Sequence, residues 1–516
     1  MTQILDWRPE PGEVVEFELT TDRAPVPHHV PASHFQQSHL RSAVAHRAAG
    51  RRQSPWVAMA FDLAGRADLD ALTDAWQGLV RRHEAFHTWY EPESENLSGF
   101  RLPPDALTIR PARVGDLTSA DNVRAHVHRR IDEQTTTGRP GLLAGVIRRD
   151  TASTVFFAID HSYTDGHSLA LLFDEIRARY DAARRGTSLD LPPAPGYLDC
   201  NRRERERSAS LTAAAPELAA WSEFLAAGDG GFPGFPVELG NDADELLTGT
   251  RLQYPVLTGA EARAFRAYCG RHGGGFGAGA FAALALAQWE FTGNDVYRVL
   301  TAVSTRAYPR LLQVHGWLVN LAPLMFRLPA SPTLADAIAV AQQGFQRARA
   351  GYDVPLHRAL ELLLKDGEVP AIPPMASYVD GRTAPGSRDY PSADATVLTG
   401  PDNASGVSLW FNWFPDRADL VVSMPDTPRR RRVCRSTSTG SGRSCSPHWP
   451  VRARHPDKAP GPRPGRPVMS RPGPAHAPRV AALGHLEFPA PGNSRPGRRP
   501  TEYKSGYQNP QCSLMP

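Results

Sequence analysis

The spacing of apolar positions divides residues 1–427 into alternating helices and strands. In RADLDALTDAWQGLVRRHEAFHT (66–88), Leu69, Leu72, Trp76, Leu79 and Val80 recur at helical spacing. The turn residue Gly65 precedes this stretch, its first turn is acidic and its last turn basic, as a helix dipole favours. TVFFAID (154–160) is β-branched and aromatic and predicts a buried strand. SLALLFDEIRARYDAA (168–183) has apolar residues at 169, 172, 173, 176 and 180 and predicts an amphipathic helix. RRGTSLDLPPAPGYLDC (184–200) breaks the pattern with proline and glycine and reads as a connection between lobes.

The second half repeats the mixture. EARAFRAYCGRHGG, FGAGAFAALALAQWEF and LADAIAVAQQGFQRARAGY predict helices, whereas DVYRVLTAVST and WLVNLAPLMFRL predict strands. VSLWFNWFP and ADLVVSMP predict a strand pair. Strands alternating with helices imply α/β layers. The glycines of RHGGGFGAG are followed by no Lys-Ser/Thr and preceded by no strand, so they predict a helix–helix turn and not a phosphate loop.

The pattern stops at Pro428. Residues 428–516 hold 17 Lys+Arg, three acids and 17 of the chain's 48 prolines, with no hydrophobic period. Such a composition cannot bury enough surface to offset chain entropy, so a disordered basic Pro/Arg/Gly-rich tail is expected. It also has the composition that a GC-rich coding region yields out of frame. The remaining 427 residues carry 41 bases and 51 acids, so the body is acidic and gives no reason to expect nucleic acid. The five cysteines are scattered, with no CxxC pair. No secretory signal and no apolar run near the roughly 20 residues of a membrane helix is evident. A cytoplasmic protein without a membrane span is expected.

The candidate chemistry lies where the strand TVFFAID meets the next helix, in HSYTDGHS (161–168). His161 follows a rigid strand, and a histidine's near-neutral pKa suits a general base. Asp165 sits across a tight turn, where an acid can pair with a distant base. Gly166 lets a substrate approach the backbone closely, and Ser168 is placed to cap the helix. Three readings fit these residues: a catalytic base, a polar turn with a satisfied histidine, or a metal site made by His161, Asp165 and His167. HxxxDxH is not a common ligand spacing. A rival motif, HEAFH (83–87), matches the H-E-x-x-H of zinc hydrolases on the predicted helix. That helix ends almost at once, and Glu91, Glu93 and Glu95 stand too close to supply a third ligand from another helix.

HSYTDG resembles the HHxxxDG motif of the condensation-domain and chloramphenicol-acetyltransferase-like superfamily of thioester-dependent acyltransferases. The motif's second His falls on His161, its Asp on Asp165 and its Gly on Gly166, while Asp160 replaces the first His. FDLAGRADLDALTDAWQGLVRRHEAFHT is similar to the family's early strand–helix segment ending RHExLRT, which makes HEAFH a coincidental match. TAVSTRAYPRLLQVHGWLVNLAPLMFRL resembles a downstream stretch on which Arg306, Gly316 and Asn320 fall at motif positions. PAPGYLDCNRRERER and WSEFLAAGDGGFPGFPVELG resemble the polyketide-associated acyltransferases of actinobacteria.

The resemblance implies two chloramphenicol-acetyltransferase-like α/β lobes forming a pseudo-dimer with a central tunnel. The lobes are expected at 1–185 and 211–427, joined by a connection at 186–210. It also implies a free-standing acyltransferase that moves an acyl group from a thioester to an alcohol or amine. His161 would be the base, with Asp165, Gly166 and Arg306 structural and Trp317 and Asn320 lining the tunnel. No bound cofactor or metal is implied; the donor would be acyl-CoA or a phosphopantetheinyl carrier protein. An acyl-carrier protein or polyketide synthase as partner, a small-molecule acceptor and a monomer are expected. The alternatives are an amide-forming peptide condensation domain, a non-catalytic scaffold and the zinc hydrolase.

Overall fold

A seven-stranded sheet takes up most of the first lobe in the computed structural model. The structure describes residues 1–50, 56–93, 96–135, 141–228, 231–236, 239–240, 247–364, 374–401 and 403–427. The expected tail, 428–516, lies outside the described residues.

The sheet order is Thr2–Gln3, Thr396–Thr399, Trp56–Ala64, Ala152–Asp160, Leu142–Arg148, Gly12–Thr20 and Thr108–Leu117. All its pairings are antiparallel except that of Thr2–Gln3 with Thr396–Thr399. The central strand Ala152–Asp160, here the motif strand, carries the apolar run Val155–Ile159 because both faces of the sheet are covered. Phe157 and Ile159 face the helices Leu69–Arg82 and Gly166–Arg185 through Trp76, Leu79, Leu172 and Phe173. Phe156 and Ala158 face the opposite way, onto Val123, Val127 and Ile131 of helix Ala120–Gln134. Burial at roughly 25 cal/mol per Å² makes this double core the main source of the lobe's stability.

The second half builds a five-stranded sheet in the order Ala376–Asp380, Ser408–Trp413, Arg417–Pro425, Leu247–Thr258 and Asn403–Ala404. The predicted strand pair is there: Ser408–Trp413 runs antiparallel to Arg417–Pro425. Helices Gly259–Arg271 and Phe276–Thr292 flank the glycine turn, where Gly273 has a positive φ of 78°. Strands Val296–Ser304 and Val319–Arg327 form a separate antiparallel ribbon. Its connecting loop, 305–318, reaches the first lobe.

Two features differ from the reading of the sequence. The strand Thr396–Thr399, counted there with the second lobe, lies in the first lobe's sheet, between Thr2–Gln3 and Trp56–Ala64. The connection 186–210 is half helix: Tyr197–Ser210 is helical, and only the proline-rich part before it is extended.

Candidate active site

The motif strand ends at Asp160, and the chain enters a single 3-10 turn, His161–Tyr163. Asp160 is fully buried and caps this turn: its Oδ1 accepts the Ser162 N–H at 2.8 Å and also the Ser162 hydroxyl. The motif helix then runs from Gly166 to Arg185. Its N-cap is Asp165, whose Oδ1 accepts the Ser168 N–H at 2.8 Å. Ser168 is therefore not the cap that its residue type suggested. It lies inside the first turn, and its Oγ donates to Gly316 O at 2.9 Å and accepts the Gly316 N–H at 3.1 Å. Gly166 opens the helix, so its N–H belongs to the first turn's unsatisfied donors.

The ribbon loop locks onto this cap. Arg306 donates from Nη1 to Asp165 Oδ2 at 2.8 Å and from Nη2 to Oδ1 at 3.1 Å. Leu318 N–H donates to Asp165 Oδ2 at 2.9 Å. Arg306 also reaches Ser168 Oγ and the carbonyls of Val314 and Gly316. Burial pushes the Asp165 carboxyl up, but the Arg306 charge and these donated bonds outweigh it and hold it at about 2. The pair is ionised, sealed from water and bridges the two halves of the chain.

His161 lies against this clamp and is partly exposed. Of its two ring nitrogens, Nδ1 is sealed from solvent without a hydrogen-bond partner. Its ring centroid is 4.5 Å from that of Trp317. Burial first, and the neighbouring His39 second, push its basicity below the usual imidazole range. A neutral imidazole beside a cleft can accept a proton at neutral pH.

The other expected residues sort by their contacts. Trp317 stands at the site, between His161, His39 (5.4 Å) and Phe35 (6.0 Å). Asn320 does not line a cavity with its amide. Nδ2 donates to Val354 O at 2.6 Å and Tyr352 O at 3.1 Å, and Oδ1 accepts the Leu356 N–H at 3.1 Å, so it ties the ribbon to the segment before helix Leu356–Leu363. His167 donates from Nε2 to Leu312 O at 2.9 Å. Among the described residues, no three His, Cys, Asp or Glu groups gather as a metal would need.

HEAFH does not lie on one helix. Leu69–Arg82 ends at His83, whose backbone is extended, and Glu84–Phe86 is a separate 3-10 turn. His83 donates to Glu175 Oε2 at 3.0 Å, Glu84 accepts the Leu198 N–H at 2.8 Å, and His87 donates to Val80 O at 2.6 Å. Each side chain of the motif is engaged by a different element.

Three contributors gave no signal in the sequence. Helix His34–Ala48, here the first helix, brings His39 to Asp160 and anchors itself through Gln36 Nε2, which donates to Ser162 O at 2.9 Å. Tyr197 starts the helix in the connection; its hydroxyl accepts the Trp317 N–H at 3.4 Å and lies 3.5 Å from Ser162 O. Neither helix has a strong apolar stripe, and their polar residues find partners only in the folded chain.

The chain is similar to known proteins along most of its length. The family model for the condensation domain matches residues 26–378. The chain is 30% identical over 447 residues to the trehalose-2-sulfate acyltransferase PapA2 of Mycobacterium tuberculosis, spanning 83% of this chain and 92% of that one. It is 27% identical over 453 residues to the acyltransferase PapA3 of the same species, spanning 84% and 93%. A solved PapA2 acyl transferase structure superposes with a TM-score of 0.77 at 28% identity, covering 84% of this chain and 95% of that one. The first condensation domain of the calcium-dependent antibiotic synthetase shares the fold, with a TM-score of 0.60 at 15% identity over 80% of this chain and 95% of that one. With its motif loop clamped across two lobes and this likeness running along most of its length, the chain belongs to the condensation-domain family and is an acyltransferase.

Proposed function

We propose that the chain moves an acyl group from a CoA or phosphopantetheinyl carrier thioester directly to a hydroxyl of a small acceptor, with His161 as the base. The observation that carries this reading is a neutral, partly exposed imidazole on a loop fixed by a buried ion pair. His161 takes the acceptor's proton as its oxygen attacks the thioester carbonyl. The carbon–oxygen bond forms, the tetrahedral intermediate collapses and the thiolate leaves; the proton on His161 then restores the thiol. General base catalysis is worth about 10²–10⁴ in rate. The first N–H groups of the motif helix, beginning at Gly166, supply positive potential for the oxyanion.

Transfer is direct and not through an acyl-cysteine. Both described cysteines, Cys200 and Cys269, have thiols pushed up to about 11 by burial. Ser162 and Ser168 are engaged by Asp160 and by Gly316 and Arg306. Asp165 and Arg306 act as a structural clamp, and Trp317 forms a wall of the acceptor site. The donor and acceptor enter from opposite mouths of a tunnel between lobes 1–185 and 211–427.

A sugar hydroxyl is the acceptor class we favour, because the relative with 30% identity is named for transfer to a sulfated trehalose. The test is incubation of the full chain with a panel of acyl-CoA and acyl-carrier thioesters and sugar, alcohol or amine acceptors. Ester product and free thiol are followed by mass spectrometry, with His161→Ala alongside. Ester formation that disappears in the variant is expected. Equal transfer by wild type and variant would overturn the assignment of the base, and amide as the sole product would overturn the acceptor class.

A further inference from the structure

The position before the base holds Asp160 in place of a histidine, and a histidine comes to it from another element. His39, on the first helix, places Nε2 3.8 Å from Asp160 Oδ1. Its ring centroid is 6.1 Å from that of His161 and 5.4 Å from that of Trp317. The separation is not that of a loose surface chain. Asp160 is pinned by both donors of Ser162. The first helix is pinned by Gln36 to the carbonyl of that same Ser162. Only 13% of the His39 side chain is exposed.

We propose that His39 is a positioning residue of the active centre: with Asp160 it forms an imidazole–carboxylate pair that sets the charge and packing around the His161 ring. The inference rests on the reading of His161 as the base. Among the described residues, the titratable groups bearing on His161 are His39 from the first helix, Asp160 from the motif strand and Asp165 from the helix cap. Asp165 is engaged by Arg306, and Asp160 is the carboxylate that faces His39. A carboxylate beside an imidazole favours its protonated form, which is useless as a base. A second imidazole on that carboxylate opposes this, and its ring also packs edge-on against Trp317, the wall behind His161.

Histidine-labelled full-length protein would be titrated by NMR as wild type, His39→Gln and Asp160→Asn, with the His161 resonance assigned from His161→Ala. The midpoint of His161 is expected to rise by about one pH unit in His39→Gln and to fall by about as much in Asp160→Asn. The acid limb of the kcat/KM profile should move with it. A folded His39→Gln protein whose His161 titrates as in wild type would overturn the proposal. Should Asp160→Asn fail to fold, His39→Gln and His39→Phe decide alone, since both remove the second imidazole. If the wild type transfers no acyl group, the reading of His161 as base falls, while the titration still reports on the pair.

Discussion

Asp165 and Arg306 stand 141 residues apart in the chain and meet in a two-point ion pair, with Nη1 to Oδ2 at 2.8 Å and Nη2 to Oδ1 at 3.1 Å. Their side chains are 0% and 1% exposed. Removing either partner strands the other charge in a dry interior, which costs roughly 3–5 kcal/mol. Asp165→Ala and Arg306→Ala should each lower the unfolding free energy measured in urea by that amount and abolish most turnover. The double variant Asp165→Ala/Arg306→Ala should be less destabilised than the sum of the two. Additive losses in the cycle would show that the residues do not act as a pair.

His161→Ala should separate chemistry from stability. The residue is not fully buried and its Nδ1 has no hydrogen-bond partner, so its loss leaves the clamp intact. Thiol release should fall by about 10²–10⁴ while the melting temperature stays near that of the wild type. A fall in stability as large as that of Asp165→Ala would make His161 a structural residue.

Acid should weaken the fold before the carboxylates titrate. Burial first, and Arg306 second, depress His167 from 6.5 to about 4. The unfolded chain therefore binds a proton that the native chain refuses between those values. Stability is full above about pH 6.5 and is lost as pH falls toward 4, by about 3 kcal/mol from this group. His315, buried beside Phe86, is depressed in the same direction by the same main cause. Asp165 adds its own loss only lower, between its usual value of 3.8 and about 2. Urea midpoints from pH 7 to 4 would show the decline, and His167→Gln should flatten it. A wild-type midpoint independent of pH over this range would contradict the burial of both imidazoles.

The parts of this site that were legible in the sequence are those whose signal is local. An unbroken apolar run needs a strand covered on both faces, and Ala152–Asp160 is such a strand. A polar knot between it and an amphipathic helix marked the strand–helix junction. Likeness to a family, not periodicity, pointed to Arg306. His39 and Tyr197 carried no comparable mark, because what they do depends on where the first helix and the connection come to rest. Thr396–Thr399 has four residues and Thr2–Gln3 has two, too few for any period, and their pairing is settled by the open edge of a sheet built mostly by other segments. Asn320 fell on a motif position, but a position alone does not say that its amide would be spent on three backbone groups. HEAFH shows the limit of letters alone: they fit a metal helix, while the extended backbone at His83 ends that helix before the second histidine.

The ribbon loop has its own weak point at Gly316. A Cβ built there would lie 2.3 Å from the Tyr197 ring, which is itself buried and bonded to the Trp317 N–H. Gly316 also exchanges two hydrogen bonds with Ser168 Oγ, so the backbone cannot retreat without opening the clamp. Gly316→Ala should therefore cost about 1–3 kcal/mol by overpacking. Because Trp317 is the next residue and its ring packs at a tilt against His161, turnover should fall more steeply than stability. Pairing the variant with Tyr197→Leu, which shortens the opposing side chain, should restore part of the lost stability. It should not restore full turnover, since the hydroxyl that fixes the Trp317 backbone is gone as well. Gly316→Ala with wild-type melting and wild-type kcat would mean that the loop tolerates displacement, and that the distance between Trp317 and His161 does not limit catalysis.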